Sequence, residues 1–271
     1  MQVLSEPLEA GYSIQIFENI SVIDSTKWNT INPLIPFFQT HQFLSKVESI
    51  QKDLQFRYVL VSKEDKIIAA LYVQLLDFSF KNLVNYGTEK STGVKSSFKK
   101  YIAKKNTKLL NLGNVFFTGD KGVICQNDEI IIPLIPKIFK AIHKSFTDKK
   151  PSAFLVANIY LQDEAKCINF GNSAFHPFNT EPDMFMTVNE NWKSFDDYMN
   201  ALSSKYRVRT KKVLTTSTEI IQKEFSIEDI KQHKEALSNL YNNVVNHVAF
   251  NMATLNIDFF EEMKLLYGDK C

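Results

Sequence analysis

Cysteine is scarce in this sequence, and long apolar runs are absent. The three cysteines, Cys125, Cys167 and Cys271, are far apart and odd in number, which indicates a reducing compartment and argues against a CxxC-type structural zinc site. No run of about 18 apolar residues is present, so no transmembrane segment is predicted. The N-terminal stretch MQVLSEPLEAGYS is polar and lacks the apolar core of a signal peptide. These absences predict a soluble, cytoplasmic protein.

A large excess of charge of one sign is also absent. The 32 Lys+Arg and 30 Asp+Glu leave a net charge of +2, which argues against a generally basic nucleic-acid binder and predicts no DNA partner. The five histidines are scattered without metal-ligand spacing, so no metal site is predicted. What the chain does have is 271 residues with 44% hydrophobic content, enough for one large domain or two ordinary ones.

Hydrophobic periodicity predicts an α/β arrangement for residues 1–190. FRYVLVS (56–62) and IIAALYVQLL (67–76) are β-rich runs on either side of a short charged turn, which predicts a hairpin. Helices are predicted at 40–50, 128–146 and 163–171, and further strands at 13–23, 108–119, 152–161 and 182–188. Pro133 and Pro136 must lie in the first turn of the 128–146 helix or bend it. A strand–helix–strand crossover inside a mixed sheet is typical of an α/β domain.

Residues 191–271 have a different, helix-rich character. Ser194 with Asp197 gives a capping-box-like start to a first helix. A strand is predicted at 218–225, a second helix after the cap at Ser226, and a third helix at 256–268. The apolar residues of the second helix are spaced to face one way: Ile230, Leu237, Leu240, Tyr241, Val244 and Val248. The sequence therefore predicts two units, 1–190 and 191–271.

Arginine is the scarce cation, since only Arg57, Arg207 and Arg209 occur. The planar guanidinium fits phosphate or carboxylate, whereas lysine is a flexible point charge. In SKYRVRTKKVL (204–214), Arg207 and Lys211 are one helical turn apart, as are Lys205 and Arg209. These four residues form either a phosphate- or carboxylate-binding site or a solvated helix face, and the sequence leaves both readings open.

Several polar residues fall on predicted central strands. Tyr72, Asn114, Asn158 and Tyr160 need hydrogen-bond partners if they are buried. Cys125 lies between Val123-Ile124 and Gln126 with no local base, so a small buried side chain is favoured over a nucleophile.

The element order and two stretches of sequence resemble a known family. Residues 1–190 follow the element order of the GNAT acyltransferase fold. The stretch EPDMFMTVNENWKSFDDYMNALSSKYRVRTKKVL is similar to the junction between units in the Fem family of peptidoglycan aminoacyltransferases. LYNNVVNHVAFNMATLNIDFFEEMK resembles the start of the second GNAT unit in those tandem proteins. The resemblance implies a GNAT-like mixed sheet flanked by helices, followed by a partial second GNAT-like unit that is incomplete at Cys271.

The same resemblance implies a function. It is acyl or aminoacyl transfer from a thioester or ester donor to an amine of an envelope precursor or lipid. Acyl-CoA or another acyl carrier is the implied co-substrate, and aminoacyl-tRNA is the donor in some relatives. The acceptor is a small or lipid-linked molecule, so the implied location extends to the inner face of the membrane.

The resemblance also implies site residues, with two departures. GNAT domains bind the donor pyrophosphate with backbone N–H groups in the loop before a helix, which here implies Gly119, Lys121 and Gly122. The glycine spacing of the family is missing and Asp120 would repel phosphate, so a plain glycine-rich turn is the alternative. Phe170 stands where many members have a proton-donating tyrosine. Both departures favour a degenerate, structural or acceptor-binding first unit.

The implied acceptor or phosphate site is the basic run Lys205, Arg207, Arg209 and Lys211, and no general base is assigned. Two other functions stay open. One is a catalytically silent GNAT-like module that binds an anionic ligand or partner. The other is a lipid-acylating enzyme whose Lys-rich segment 99–108 docks an acidic acyl carrier protein.

Overall fold

The first part of the chain forms a mixed β-sheet around one long strand. The fold comes from a computed structural model that describes residues 1–79, 106–117, 119–148, 150–158, 175, 186–248 and 251–270. Its seven described strands are β1 (Gln2–Pro7), β2 (Tyr12–Phe17), β3 (Gln55–Lys63), β4 (Lys66–Ser79), β5 (Asn106–Leu112), β6 (Val123–Cys125) and β7 (Ala153–Val156). They lie in the order β1–β2–β3–β4–β5–β7, and β6 also pairs with β4. Only the β5–β7 pair is parallel.

The predicted hairpin is confirmed as β3 and β4. The strands join at Glu64 and Asp65, which have φ of 49° and 64°. Positive φ at both central residues is what a tight type I′ turn requires, and its twist matches that of the flanking strands. The pairing runs from Lys63 with Lys66 to Gln55 with Leu75, so β4 extends beyond its partner.

Helices cover both faces of the sheet. The described helices are α1 (Ser25–Asn29), α2 (His41–Ile50), α3 (Asp128–Ile131), α4 (Ile135–Lys144), α5 (Phe195–Ala201), α6 (Ser204–Thr216), α7 (Ile227–Gln232), α8 (Lys234–His247) and α9 (Asp258–Tyr267). Strand residues alternate between two cores. On β4, Leu71 and Val73 pack with α3 and α4, whereas Ala70 and Tyr72 pack with α1 and α2. The α/β class with a mixed open sheet is therefore confirmed.

The two prolines divide the predicted 128–146 helix. A 3₁₀ turn at Ile132–Leu134 separates α3 from α4. Proline has no N–H to donate and its ring crowds the preceding turn, so Pro133 and Pro136 each sit at the start of a helical segment. The bend keeps the buried face of α4 on the sheet, with Ile138 and Ile142 fully buried.

The last helix completes the core on the α2 face. Phe259 and Met263 of α9 are buried in the same cluster as Trp28 and Phe43. The Phe43 and Phe259 rings lie 6.0 Å apart in an edge-on arrangement. A salt bridge of 2.5 Å between Lys46 and Glu262 spans the α2–α9 contact. The unit predicted at 191–271 thus supplies one helix to the core of the sheet.

Some predicted elements differ from the structure. The strand predicted at 218–225 is wrong, because residues 220–226 have no regular structure and no strand pairs with them in the described part of the chain. A strand has no internal hydrogen bonds, so β-branched residues alone cannot form one. The strand predicted at 108–119 ends at Leu112, and β1 was not predicted. The predicted 163–171 helix and most of the 182–188 strand lie outside the described residues.

Within the described residues, no helix combines the length and the apolar character needed to cross a lipid bilayer.

The burial of α9 predicts unequal effects for two adjacent phenylalanines. Phe259→Ala should lower the free energy of unfolding by about 3–5 kcal/mol, because it leaves a cavity between α9 and α2. Phe260 is 43% exposed, so Phe260→Ala is the matched control and should cost less than about 1 kcal/mol. Urea unfolding measures both. Equal losses would show that α9 does not pack on the sheet.

Candidate functional site

A loop whose ends meet at two glycines lies between β5 and β6, the two strands that pair with the same side of β4. Strand β5 pairs with residues 73–79 of β4 and β6 pairs with residues 69–71, so Tyr72 lies between the two pairings. Gly113 N–H donates to the Tyr72 carbonyl at 3.0 Å, and Tyr72 N–H donates to the Gly122 carbonyl at 3.1 Å. A Cβ on Gly122 would lie 2.1 Å from Gly113 N, so no side chain fits there. The loop of residues 113–122 therefore leaves and rejoins the sheet at one point.

Asp120 belongs to this loop, and its carboxylate is buried. It is 1% exposed and accepts hydrogen bonds from Gln39 Nε2 (2.8 Å), Gly122 N–H (2.8 Å), Asn114 N–H (2.9 Å) and the Tyr72 hydroxyl. A buried carboxylate without such donors is very costly, and four donors replace its hydration. We call Gln39, Tyr72, Asn114, Asp120 and Asn158 the Asp120 cluster.

Tyr72 acts in this cluster as a neutral hydrogen-bond donor. Burial raises the pKa of Tyr72 well above its ordinary value, and the charge of Asp120 and the hydrogen bond to it raise that pKa further. The hydroxyl therefore keeps its proton at neutral pH and donates it toward the carboxylate.

Asn158, two residues after the end of β7, is hydrogen-bonded to the loop. Strand β6 pairs with β4 and β7 pairs with β5, so β6 and β7 do not pair with each other in the described residues. We call the side of β6 that has no strand partner in the described residues the sheet opening. Asn158 Oδ1 accepts from Gly119 N–H at 3.1 Å, and its Nδ2 donates to the Asp120 carbonyl at 2.7 Å. The φ of Asn158 is 58°, a conformation that asparagine tolerates better than most residues.

Two buried amides beside the loop keep unmatched donors. Gln74 Oε1 accepts from Val115 N–H at 2.9 Å, and Asn114 Oδ1 accepts from Phe116 N–H at 3.0 Å. Within the described residues, Gln74 Nε2 and Asn114 Nδ2 have no hydrogen-bond partner, although both side chains are buried. Both amides can donate to an acceptor oxygen such as a carbonyl.

The three predicted donor-binding residues lie in this loop, but two of their N–H groups are already bonded. Gly119 N–H donates to Asn158 and Gly122 N–H donates to Asp120, while Lys121 is partly exposed between them. The loop precedes β6, so it does not lie directly before a helix. The next helix, α3, has Asp128 and Glu129 in its first turn, and acidic residues there disfavour a bound anion. Donor binding at Gly119, Lys121 and Gly122 stays a prediction.

The predicted basic run separates into one structural arginine and several exposed cations. The Arg207 guanidinium donates to the carbonyls of Met199 (3.1 Å), Asn200 (2.9 Å) and Leu202 (2.8 Å). It therefore caps the C-terminal end of α5, where helix carbonyls lack N–H partners. Lys205, Arg209 and Lys211 remain exposed. Acceptor or phosphate binding by the run also stays a prediction.

Cys125 and the remaining arginine have no reactive features. Burial, followed by the charge of Asp128, raises the pKa of Cys125 to about 11, so its thiol is protonated at neutral pH. Arg57 stacks on the Phe146 ring at 4.1 Å and donates to the Ser145 carbonyl at 3.2 Å. It lines a polar cleft of about 470 Å³ at the start of β3, but its donors serve neighbouring groups of the fold. Within the described residues, no group of three or more His, Cys, Asp or Glu side chains is placed to hold a metal ion.

Sequence reasoning identified part of the Asp120 cluster. Tyr72, Asn114 and Asn158 were expected to need partners, and each has one here; Tyr160 lies outside the described residues. Gln39, Gln74 and the structural role of Asp120 were missed. One available signal was Gln74 itself, a polar residue inside the otherwise apolar run IIAALYVQLL, because a buried amide must be hydrogen-bonded.

Removing the buried charge tests the cluster. Asp120→Asn keeps the shape but turns an NH₂ group toward at least one of the four donors, so we expect a loss of about 2–4 kcal/mol in the free energy of unfolding. Asp148→Asn is the control, because Asp148 is exposed, and its effect should stay within about 0.5 kcal/mol. Unchanged stability of Asp120→Asn in urea unfolding would contradict a bonded, buried carboxylate.

Comparison with known proteins does not supply a family. No family model, no curated protein and no solved structure matches this chain. The resemblance of the sequence to GNAT and Fem proteins therefore stays a prediction. The features established for the chain are its α/β class, its mixed open sheet and the polar cluster beneath the glycine loop.

Proposed function

We propose that this chain is a GNAT-fold, Fem-like acyl- or aminoacyltransferase, or a part of one. It transfers an acyl group from a thioester or ester donor to an amine of an envelope precursor or lipid. The observation that carries the proposal is the sheet opening: β7 runs parallel to β5 after a helical crossover, and no strand among the described residues pairs with β6 on that side. In α/β folds, ligands enter where neighbouring strands separate.

The chemistry needs an amine placed against an activated carbonyl. The amine nitrogen attacks the acyl carbon, the C–N bond forms as the C–S or C–O bond to the carrier breaks, and the proton that the amine loses ends on the leaving thiol or hydroxyl group. Positioning supplies much of the rate, and hydrogen-bond donors at the developing oxyanion supply more. Gln74 and Asn114 hold the unmatched N–H donors nearest the glycine loop, so we assign them this role.

The closed loop restricts the donor. A pyrophosphate would need the N–H groups of Gly119 and Gly122, which already donate to Asn158 and Asp120. We therefore infer that residues 1–190 recognise the donor through its acyl group and not through phosphates. An acyl carrier or an aminoacyl ester fits this inference better than free acyl-CoA does.

The second candidate is a catalytically silent module that binds an anionic ligand or partner. The same internal bonds of the loop favour it, since they leave no described phosphate cradle at the loop or at the start of α3. The exposed cations of α6 would be its contact residues.

A transfer assay separates the two candidates. The folded chain is incubated with acetyl-CoA or alanyl-tRNA and with N-acetyl-lysine amide, and the acylated amine is measured by mass spectrometry. We expect product with alanyl-tRNA and a rate at least about 100-fold lower for Gln74→Met, which removes an oxyanion donor.

Gln55→Met is the matched control, because Gln55 lies at the start of β3 and is not one of the two residues assigned the oxyanion role. Thermal melts verify that both variants fold. If neither donor gives product, the transferase proposal is contradicted and the silent module remains. Equal rates for both variants would remove Gln74 from the mechanism.

A further inference from the structure

Helix α6 carries more lysine and arginine than any other described helix. None of its 13 residues is buried. It carries Lys205, Arg207, Arg209, Lys211 and Lys212, and it has no acidic residue. A helix without a buried residue gains little stability from packing.

The positive charge of α6 is not neutralised within the described fold. Arg209, Lys211 and Lys212 form no ion pair among the described residues, and Lys205 lies 6.0 Å from the centroid of the neighbouring Tyr206 ring. Several lysines elsewhere are paired: Lys144 pairs with Glu6 at 2.9 Å and Lys231 pairs with Glu261 at 3.4 Å. The concentration of unpaired cations makes α6 a surface that fits a polyanion.

The helical repeat places two exposed apolar residues beside these cations. Lys205, Arg209 and Lys212 follow the spacing i, i+4, i+7 and share one side of the helix. Tyr206 and Val213 share the adjacent side, and they are 55% and 58% exposed. Arg207 is committed to the end of α5 and is excluded from this surface.

Exposed aliphatic residues continue beyond the helix. Ile220 and Ile221 are 73% and 91% exposed in a segment with no regular structure. An isolated exposed isoleucine is common, but two adjacent ones next to a basic helix form an apolar surface that water does not favour. A nucleic acid would use the cations and leave these isoleucines in water. A lipid surface uses both, since phosphates attract the cations and the acyl boundary buries the aliphatic groups.

We infer that residues 204–221 form a docking surface for an anionic lipid bilayer. The cations Lys205, Arg209 and Lys212 contact lipid phosphates, and Tyr206, Val213, Ile220 and Ile221 enter the headgroup region. The inference depends on charge and exposure, not on the proposed acyl transfer, so either one can fail without the other.

Vesicle co-sedimentation tests this surface with the full chain. Vesicles of phosphatidylcholine alone are compared with vesicles that also contain phosphatidylglycerol, each at low and high salt. We expect binding only to the anionic vesicles, and weaker binding at high salt. The triple variant Lys205→Gln, Arg209→Gln, Lys212→Gln should lose affinity by about fivefold per cation, on the order of 100-fold in all.

A charge-matched control uses Lys27→Gln, Lys66→Gln and Lys140→Gln, which remove three exposed lysines from other parts of the fold. It should bind as the unchanged chain does. The pair Ile220→Ser and Ile221→Ser should weaken binding roughly tenfold without a change in charge. Circular dichroism confirms that each variant keeps its helices.

Several results would overturn the inference. They are no binding to anionic vesicles, equal binding to phosphatidylcholine alone, or equal losses for the α6 variant and the charge-matched control. Binding of a tRNA transcript, measured in the same buffer, tests whether α6 is a nucleic-acid surface. If it binds more tightly than the vesicles and the isoleucine variant binds it normally, α6 is a nucleic-acid surface and the lipid inference is wrong.

Discussion

A carboxylate that leaves water must find hydrogen-bond donors, and Asp120 finds four of them on three segments of the chain. Gln39 comes from the α2 side, Tyr72 from β4, and the N–H groups of Asn114 and Gly122 from the two ends of the loop. Because Gln39 and Tyr72 are distant from the loop in sequence, the buried carboxylate fixes the position of the loop relative to β4 and to the segment before α2. The chain can rejoin β4 after the loop only because Gly113 and Gly122 lack side chains at their closest approach.

This arrangement limits what the sheet opening can bind. Asn158 and Asp120 use the glycine N–H groups that a phosphate would require, and the first turn of α3 is acidic. The unmatched donors of Gln74 and Asn114 are neutral and suit a carbonyl oxygen. Among the described residues, the unpaired cations of α6 suit a phosphate, and they lie far along the sequence from the loop. The proposed transfer and the proposed lipid surface thus use different groups of the chain.

Periodicity alone was enough for the β3–β4 hairpin, α2 and the α4 segment, since each buries a regular face. The caps at Ser194 and Ser226 were equally local signals, and both were predicted. The burial of Asp120 could not be predicted from its neighbours in sequence. Read beside two glycines it looked like a residue that repels phosphate, and only the distant Gln39 and Tyr72 show that its carboxylate faces inward. The strand predicted for TEIIQKEF was wrong for the same reason. A strand needs a partner strand, and the composition of one segment does not show whether a partner is present.

The central claim is that the Asp120 carboxylate holds the 113–122 loop closed in the native state. Hydrogen exchange of the Asn114 and Gly122 amides tests it most directly, because both amides donate to that carboxylate. The account predicts that they exchange as slowly as the amides of β3 and β4, through global unfolding alone. Exchange of these two amides at the rate of an exposed loop would contradict it.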